Sequence, residues 1–202
     1  MSSLLVGHRA GIPVSWLHHY PLMHVPSSPT FLSFDAIMFD NVKTLADLFT
    51  LKLQGLYDAE KQLVKALPKL ATAATEPQLR ISLEKHLCET EDQVARLEQI
   101  ATSLGLSLDG PRCEAMGGLL EEADQLLALN TSDEVMDAAI ISTAQGIEHY
   151  EIAQYNTVVH FAERLGYTTE ALLLHRSLEE EQDTNEVLNQ LVINPLTENA
   201  LS

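Results

Sequence analysis

Apolar residues recur at three- and four-residue steps through four long stretches of this chain, and no stretch alternates at the two-residue step of a half-buried strand. That periodicity restricts the fold to packed amphipathic helices. The first stripe runs through Leu53, Leu56, Tyr57, Leu63, Val64, Leu67 and Leu70 and ends near Ala74. Thr44 opens it, with Asp47 three residues on as the partner of a capping box. Thr75-Glu76-Pro77-Gln78 restarts the chain: Thr75 is the expected N-cap, Gln78 its box partner, and Pro77 sits where a first turn tolerates proline. The second stripe, Leu79, Leu83, Val94, Leu97, Ile100 and Leu104, stops at Gly105, a residue suited to a left-handed cap. Residues 112–129 predict a shorter helix. A box-like start at Thr131–Glu134 opens a third long helix reaching Gly166, and a fourth runs from about Thr169 to Val192, ahead of Pro195.

A short loop within each pair of long helices makes them antiparallel neighbours. The link over 106–131 is instead long enough to run the length of a bundle, at about 1.5 Å per helical residue. That is the one-crossover topology of ferritin-like bundles. The expected fold is all-α: a ferritin-like four-helix bundle over residues 38–195, with a long crossover containing a short extra helix, and a C-terminal tail over 196–202. Residues 1–37 read differently. They carry only Arg9 and Asp35 as charges, hold His8, His18, His19 and His24, and follow neither period. Arg9 inside the apolar region and the lack of a clean cleavage site argue against a signal peptide. The expectation is a poorly ordered extension or a non-native start, with Met38 as an alternative first residue just ahead of the regular patterning.

Charge excludes several partners. With 29 acidic against 12 basic residues the formal charge is −17 at pH 7, which repels nucleic acid and anionic membrane surfaces alike. No apolar run approaches the roughly 20 residues of a membrane-spanning helix. Cys88 and Cys113 offer neither a disulfide framework nor a metal-binding spacing, so the default expectation is a cytoplasmic protein.

Every long stripe is broken by acid near its middle. Glu60 falls between Tyr57 and Val64. The second seam reads Leu79–Leu83–His86–Glu89/Thr90–Gln93–Leu97, polar for two consecutive turns. The third reads Ile141–Ala144–Glu148–Glu151–Tyr155–Val158. The fourth reads Leu174–Leu178–Glu181–Asn185–Leu188–Val192, with Glu180 on the neighbouring path. Lys61, Lys65, Lys69, Lys85, Arg96 and Arg164 fall off these inward lines. A buried carboxylate costs several kcal/mol unless it is paired or binds a cation. Metal resolves the mutual repulsion, and two ions resolve it better than one. Oxygen donors with little imidazole suit iron or manganese. Ferritin-like dinuclear sites combine single glutamates with residue pairs at i, i+3, and His86/Glu89 and Glu148/Glu151 have that spacing. The competing readings are a seam glutamate reaching solvent at a helix edge, and His86 as a hydrogen-bonded core histidine. His149 lies about 100° around the helix from Glu148 and is expected to be exposed or supporting. His160 and His175 are expected to be exposed, and the two cysteines to be core or spectator thiols. No catalytic residue is identified from these patterns.

The motifs YDAEKQL (57–63), HLCET followed by Gln93 and Arg96-Leu97, CEAMGGLLEEA (113–123), AQGIEHYEIAQY (144–155) and LEEEQDTNEVL (178–188) occur in one order. In this the chain resembles the bacterial YciE/YciF-type ferritin-like family over roughly residues 42–192. The resemblance implies a homodimeric four-helix bundle with a rubrerythrin-like dinuclear metal site and an association with stress responses. Carried over by motif, it implies Glu60, Glu89, Glu148 and one of Glu180 and Glu181 as ligands, with His86 and Glu151 completing the set. Scarcity of histidine departs from the commonest di-iron pattern, so a carboxylate-rich site is expected, holding two iron ions or, alternatively, manganese. As an enzyme it would be a di-metal oxidoreductase, peroxidase- or ferroxidase-like, acting on a small oxidant such as peroxide or oxygen. Tyr57, Tyr150 and Tyr155 would then be hydrogen-bonding or radical neighbours, or amphipathic packing residues. The alternative is a non-catalytic structural or interaction dimer of a stress response with a structural or vestigial metal site.

Overall fold

A computed structural model of the protein describes residues 42–193, so the expected extension over 1–37, Met38 and the tail over 196–202 lie outside the described residues. Five helices follow one another: α1 (Leu45–Ala73), α2 (Pro77–Leu104), α3 (Glu114–Leu127), α4 (Asp133–Leu165) and α5 (Thr168–Ile193). Among the described residues there is no strand, and no helix is long and apolar enough to cross a membrane.

Local chemistry sets most of the helix ends. Thr44 and Asp47 form a reciprocal capping box, each side chain accepting from the other residue's backbone N–H at 3.1 and 2.9 Å. Gly105 and Gly166 terminate α2 and α4 with φ of 65° and 78°, a left-handed conformation in which a side chain would be strained. Ser132 caps α4. The start of α2 departs from expectation. Its N-cap is Glu76, whose Oε2 accepts from Leu79 N at 2.5 Å, and Thr75 does not cap. The reason is tertiary: Thr75 donates through its N–H (2.7 Å) and its hydroxyl (2.6 Å) to the carboxylate of Asp137 on α4, which also accepts from Glu76 N at 2.9 Å.

Asp137 is thus a buried carboxylate, 1% exposed, that ties the α1–α2 turn to the first turns of α4. Replacing it with alanine strands two backbone donors and a hydroxyl. Asp137→Ala is expected to lower the unfolding free energy by about 2 kcal/mol, read from urea denaturation at unchanged slope. A loss below about 0.5 kcal/mol would show that this tie contributes nothing beyond solvent bonding.

α1 packs on α2 and α4, and α5 packs on α2 and α4, so the four long helices form a closed ring, with α3 laid over α1 and α4. Two separate apolar clusters fill this ring. One joins the start of α1 (Phe49, Leu53) to the end of α2 (Leu97, Ile100), the end of α4 (Val158, Ala162) and the start of α5 (Leu174). The other joins the end of α1 (Leu67, Leu70) to the starts of α2 (Leu79, Leu83) and α4 (Ile140, Ile141), the end of α5 (Leu188), and α3 (Met116, Ala123). Each fully buried leucine contributes about 1.5–3 kcal/mol.

Since α2 ends in the first cluster and α4 begins in the second, the connection travels the length of the bundle. The 14 residues of α3 cover about 21 Å of it. This is the one-crossover, ferritin-like topology. Side chains of α1 hold the crossover down. Gln54 donates to the carbonyls of Ser107 and Asp109 at 3.0 Å each, and Asp58 accepts from Cys113 N at 2.7 Å. Gly110 is required here, because a Cβ would fall 2.5 Å from that of Gln54.

Candidate metal centre

Between the two apolar clusters lies a polar layer to which all four long helices contribute. On α1, Glu60 falls between Leu56 of one cluster and Leu63 of the other. On α2, His86, Thr90 and Gln93 fall between Leu83 and Leu97. On α4, Glu148 and Glu151 fall between Ile147 and Tyr155, and on α5, Glu181 and Thr184 fall between Leu178 and Leu188. Glu60, His86, Glu148, Glu151 and Glu181 are each at most 1% exposed. A helical residue every 3.6 positions keeps the same phase, so the sequence turns these groups inward with their apolar neighbours.

His86, Glu148, Glu151 and Glu181 each offer one ligating atom within 4.8 Å of the others'. His86 Nε2 stands 3.2 Å from Glu148 Oε1 and 3.9 Å from Glu181 Oε2, at ion-pair distance without hydrogen-bond alignment. Glu60 joins from α1: its Oε1 accepts from the hydroxyl of the fully buried Tyr155 at 2.5 Å, and its Oε2 has no partner. Both oxygens of Glu151, both ring nitrogens of His86, and one oxygen each of Glu148 and Glu181 are likewise buried without a hydrogen-bond partner. Such a concentration of unpartnered polar atoms is abnormal in a folded interior. Burial, then the charge of Glu181, pushes Glu60 well above the ordinary carboxylate range, against the opposing bond from Tyr155. Burial followed by the charges of Glu181, Glu60 and Glu89 does the same to Glu148, and burial with Glu60, Glu181 and Glu148 does so to Glu151. A cation in the layer answers both the bare acceptors and the repulsion, and the donor set of carboxylates and one imidazole fits iron or manganese.

Two of the candidate ligands lie outside this cluster. Glu180 faces α2, where Arg96 donates to it at 3.0 and 3.1 Å; Arg176 adds a bond at 3.1 Å and Gln93 one at 3.2 Å. Burial alone would raise its pKa, but Arg96, Gln93 and Arg176 bring it below the usual value. The cluster therefore holds Glu181 and not Glu180. Glu89 is partly exposed, with Oε1 2.5 Å from Lys85 Nζ and Oε2 buried and without a partner.

One expectation is corrected here. Arg96 does not lie off the inward line: it is 7% exposed, and its guanidinium is taken up by Glu180 and Ser177. It lies beside the seam residue Leu97, so its inward reach depends on the partners that α5 presents. Gln93 extends the same network, donating to Glu181 Oε1 as well as to Glu180. Asp137 also escaped sequence reasoning, although it continues the α4 seam one turn before Ile141. Among the described residues the other histidines, His149, His160 and His175, are exposed. Cys113 is buried and shares a 2.9 Å hydrogen bond with Tyr150, and Cys88 is exposed. Tyr57 bonds to Glu98 at the surface, which leaves Tyr155 as the tyrosine joined to the layer.

The fold and much of the sequence are shared with known proteins. Protein YciF of Escherichia coli (strain K12) is 44% identical over 161 residues, 79% of this chain and 97% of that protein. The crystal structure of that E. coli stress protein superposes with a TM-score of 0.75 at 43% identity, covering 77% of this chain and 99% of that one. YcfI from Rhodopseudomonas palustris superposes with a TM-score of 0.72 at 41% identity, over 74% and 95% of the two chains. A Xanthomonas campestris protein at 20% identity, with a TM-score of 0.61 over 79% and 100%, shares the fold. The family model described as a domain of unknown function, DUF892, matches residues 44–201, and the chain belongs to this YciE/YciF-type family.

Proposed function

We propose that the polar layer is a carboxylate-rich metal centre, holding two iron or manganese ions, in a stress-related protein that reacts with peroxide or oxygen. One observation carries it: four helices bring buried carboxylates and a histidine together with several of their polar atoms bare, and the buried guanidinium of Arg96 is bonded to Glu180 instead of to the cluster. His86, Glu148, Glu151 and Glu181 would hold the metal, and Glu60 would complete the set from α1. Bound iron or manganese would supply one-electron redox chemistry toward a small oxidant. The chain's own part is to orient the donors and exclude bulk water. The apolar clusters seal the layer on two sides, Gln93 orients Glu181, and Tyr155 donates a hydrogen bond that orients Glu60. The link to stress rests on the description of YciF as a stress protein. We extend the proposal to a cytoplasmic homodimer, which light scattering of the purified protein tests for assembly.

A second reading is favoured by the burial itself. With every cluster residue at most 1% exposed, the metal would be structural unless the layer opens to an oxidant. The two readings separate on metal content after reconstitution with Fe(II) without oxygen, followed by addition of peroxide. The redox centre predicts about two ions per chain and their oxidation by peroxide; stable binding without oxidation selects the structural reading. Glu148→Ala and Glu151→Ala should each reduce the stoichiometry. Fewer than about one ion per chain in the parent protein would sink both readings.

A further inference from the structure

Two partly exposed carboxylates border the buried cluster, and they are held in very different ways. Glu180 is 15% exposed in its side chain, and both its oxygens are occupied: Oε1 accepts from Arg96 and Arg176, Oε2 from Arg96 and Gln93. It has no acceptor to spare and is locked. Glu89 is 20% exposed and has one partner, the 62% exposed Lys85, on Oε1. Its Oε2 is buried and has no hydrogen-bond partner. It lies one turn after His86 on α2, and its negative charge is felt at Glu148 inside the cluster. Lys85 precedes Glu89 by four residues, the weaker of the two orders for a helical ion pair, and it is open to solvent and salt.

We propose that Glu89 is the entry carboxylate of the polar layer, receiving a divalent cation from solvent and delivering it inward, and that Lys85 is the latch that competes with the cation for it. The inference rests on the metal-centre reading. Glu89 is partly exposed with an oxygen to spare whereas the cluster donors are at most 1% exposed, so on this proposal the incoming ion meets Glu89 first. One ammonium must be displaced, after which rotation about the glutamate side chain carries the ion from Oε1 toward the buried side. No bond is made or broken beyond exchange of Lys85 for the cation and its water. Glu180, gripped by two guanidinium groups, offers no such exchange.

The test is the rate of Co(II) loading without oxygen, followed by stopped-flow absorption of the bound ion, with final stoichiometry measured separately. Lys85→Met should load about two- to five-fold faster than the parent chain and reach the same stoichiometry, the size expected for removing one exposed ion pair. Lys85→Arg should stay near the parent rate. Lys65→Met makes the same change in net charge at an exposed site on α1 and should also stay near it, which separates the latch from overall charge. Glu89→Gln should load about tenfold slower. If Lys85→Met loads at the parent rate, or Lys65→Met accelerates equally, the latch is overturned while the metal centre stands. If Glu89→Gln loads normally, entry lies elsewhere. If the parent chain takes up no Co(II), both the entry route and the centre beneath it fail.

Discussion

Loading the polar layer with Mn(II) is expected to raise the midpoint of thermal unfolding by about 10 °C for each bound ion once the ion reaches ~1,000 times its dissociation constant. An ion that binds the folded chain and not the unfolded one adds its binding free energy to stability, about 4 kcal/mol per site under those conditions. The unfolded chain cannot compete, because the donors lie on four helices and meet only through tertiary packing. Protons should leave as metal enters. Burial and neighbouring charge hold Glu60, Glu148 and Glu151 protonated above the ordinary carboxylate range, and a cation favours the ionised form. The checks are a melting curve with and without Mn(II), and an indicator-dye titration of proton release in weak buffer. A Glu148→Gln/Glu151→Gln double variant should lose most of the shift. A midpoint unmoved by millimolar Mn(II), Fe(II) and Co(II) would remove the metal centre from consideration.

Without metal, the same residues should work against the fold. Glu151→Gln is expected to stabilise the metal-free protein at pH 7.5 by more than the ~0.5 kcal/mol typical of a surface substitution. Glu151 is fully buried, both its oxygens lack partners, and three other carboxylates face it. The sign follows from the protons bound. The unfolded carboxyl ionises near the ordinary glutamate value of 4.5, whereas burial, Glu60 and Glu181 keep the folded one protonated well above that. The folded state therefore binds the extra proton as pH rises past about 4.5, and stability falls until the raised pKa is reached. Glutamine has no proton to hold. The two proteins should converge in stability near pH 4.5, and the variant should lead increasingly toward pH 7.5. Glu180 and Asp47, whose pKa values are lowered, act in the opposite sense, but they are common to both proteins and cancel in the difference. Adding Mn(II) should reverse the order. Urea denaturation at several pH values measures all of this, and a variant less stable than the parent at pH 7.5 without metal would mean that Glu151 is already satisfied within the chain.

Much of the fold was legible because helix periodicity and capping are local. Leu53 to Leu70, Gly105 and Gly166 mark stripes and ends that need no knowledge of the neighbours, and the length of the link after Gly105 announced the crossover. The start of α2 was less legible: Thr75 has the chemistry of a cap, but Asp137, 62 residues away, takes its donors and leaves the cap to Glu76. The candidate site divides in the same way. Glu60, His86, Glu148 and Glu151 stand in the apolar phase of their own helices, so their inward direction is written in spacing. The choice between Glu180 and Glu181 is not, since adjacent residues on α5 straddle the seam. Arg96 decides it by reaching across from α2 to hold Glu180.

By itself, then, the sequence determined an all-helical bundle, its single long crossover, and an acidic interruption at the middle of each long helix, because each depends on residues within a few turns of one another. Tertiary structure alone decided which groups share the layer and which are neutralised beside it. Glu181 is left bare while Glu180 is paired, Glu89 is held at the edge by Lys85, and Tyr155 is joined to Glu60 across 95 positions. Hydrogen bonds and ion pairs act over about 3 Å, a distance that separation along the chain does not encode.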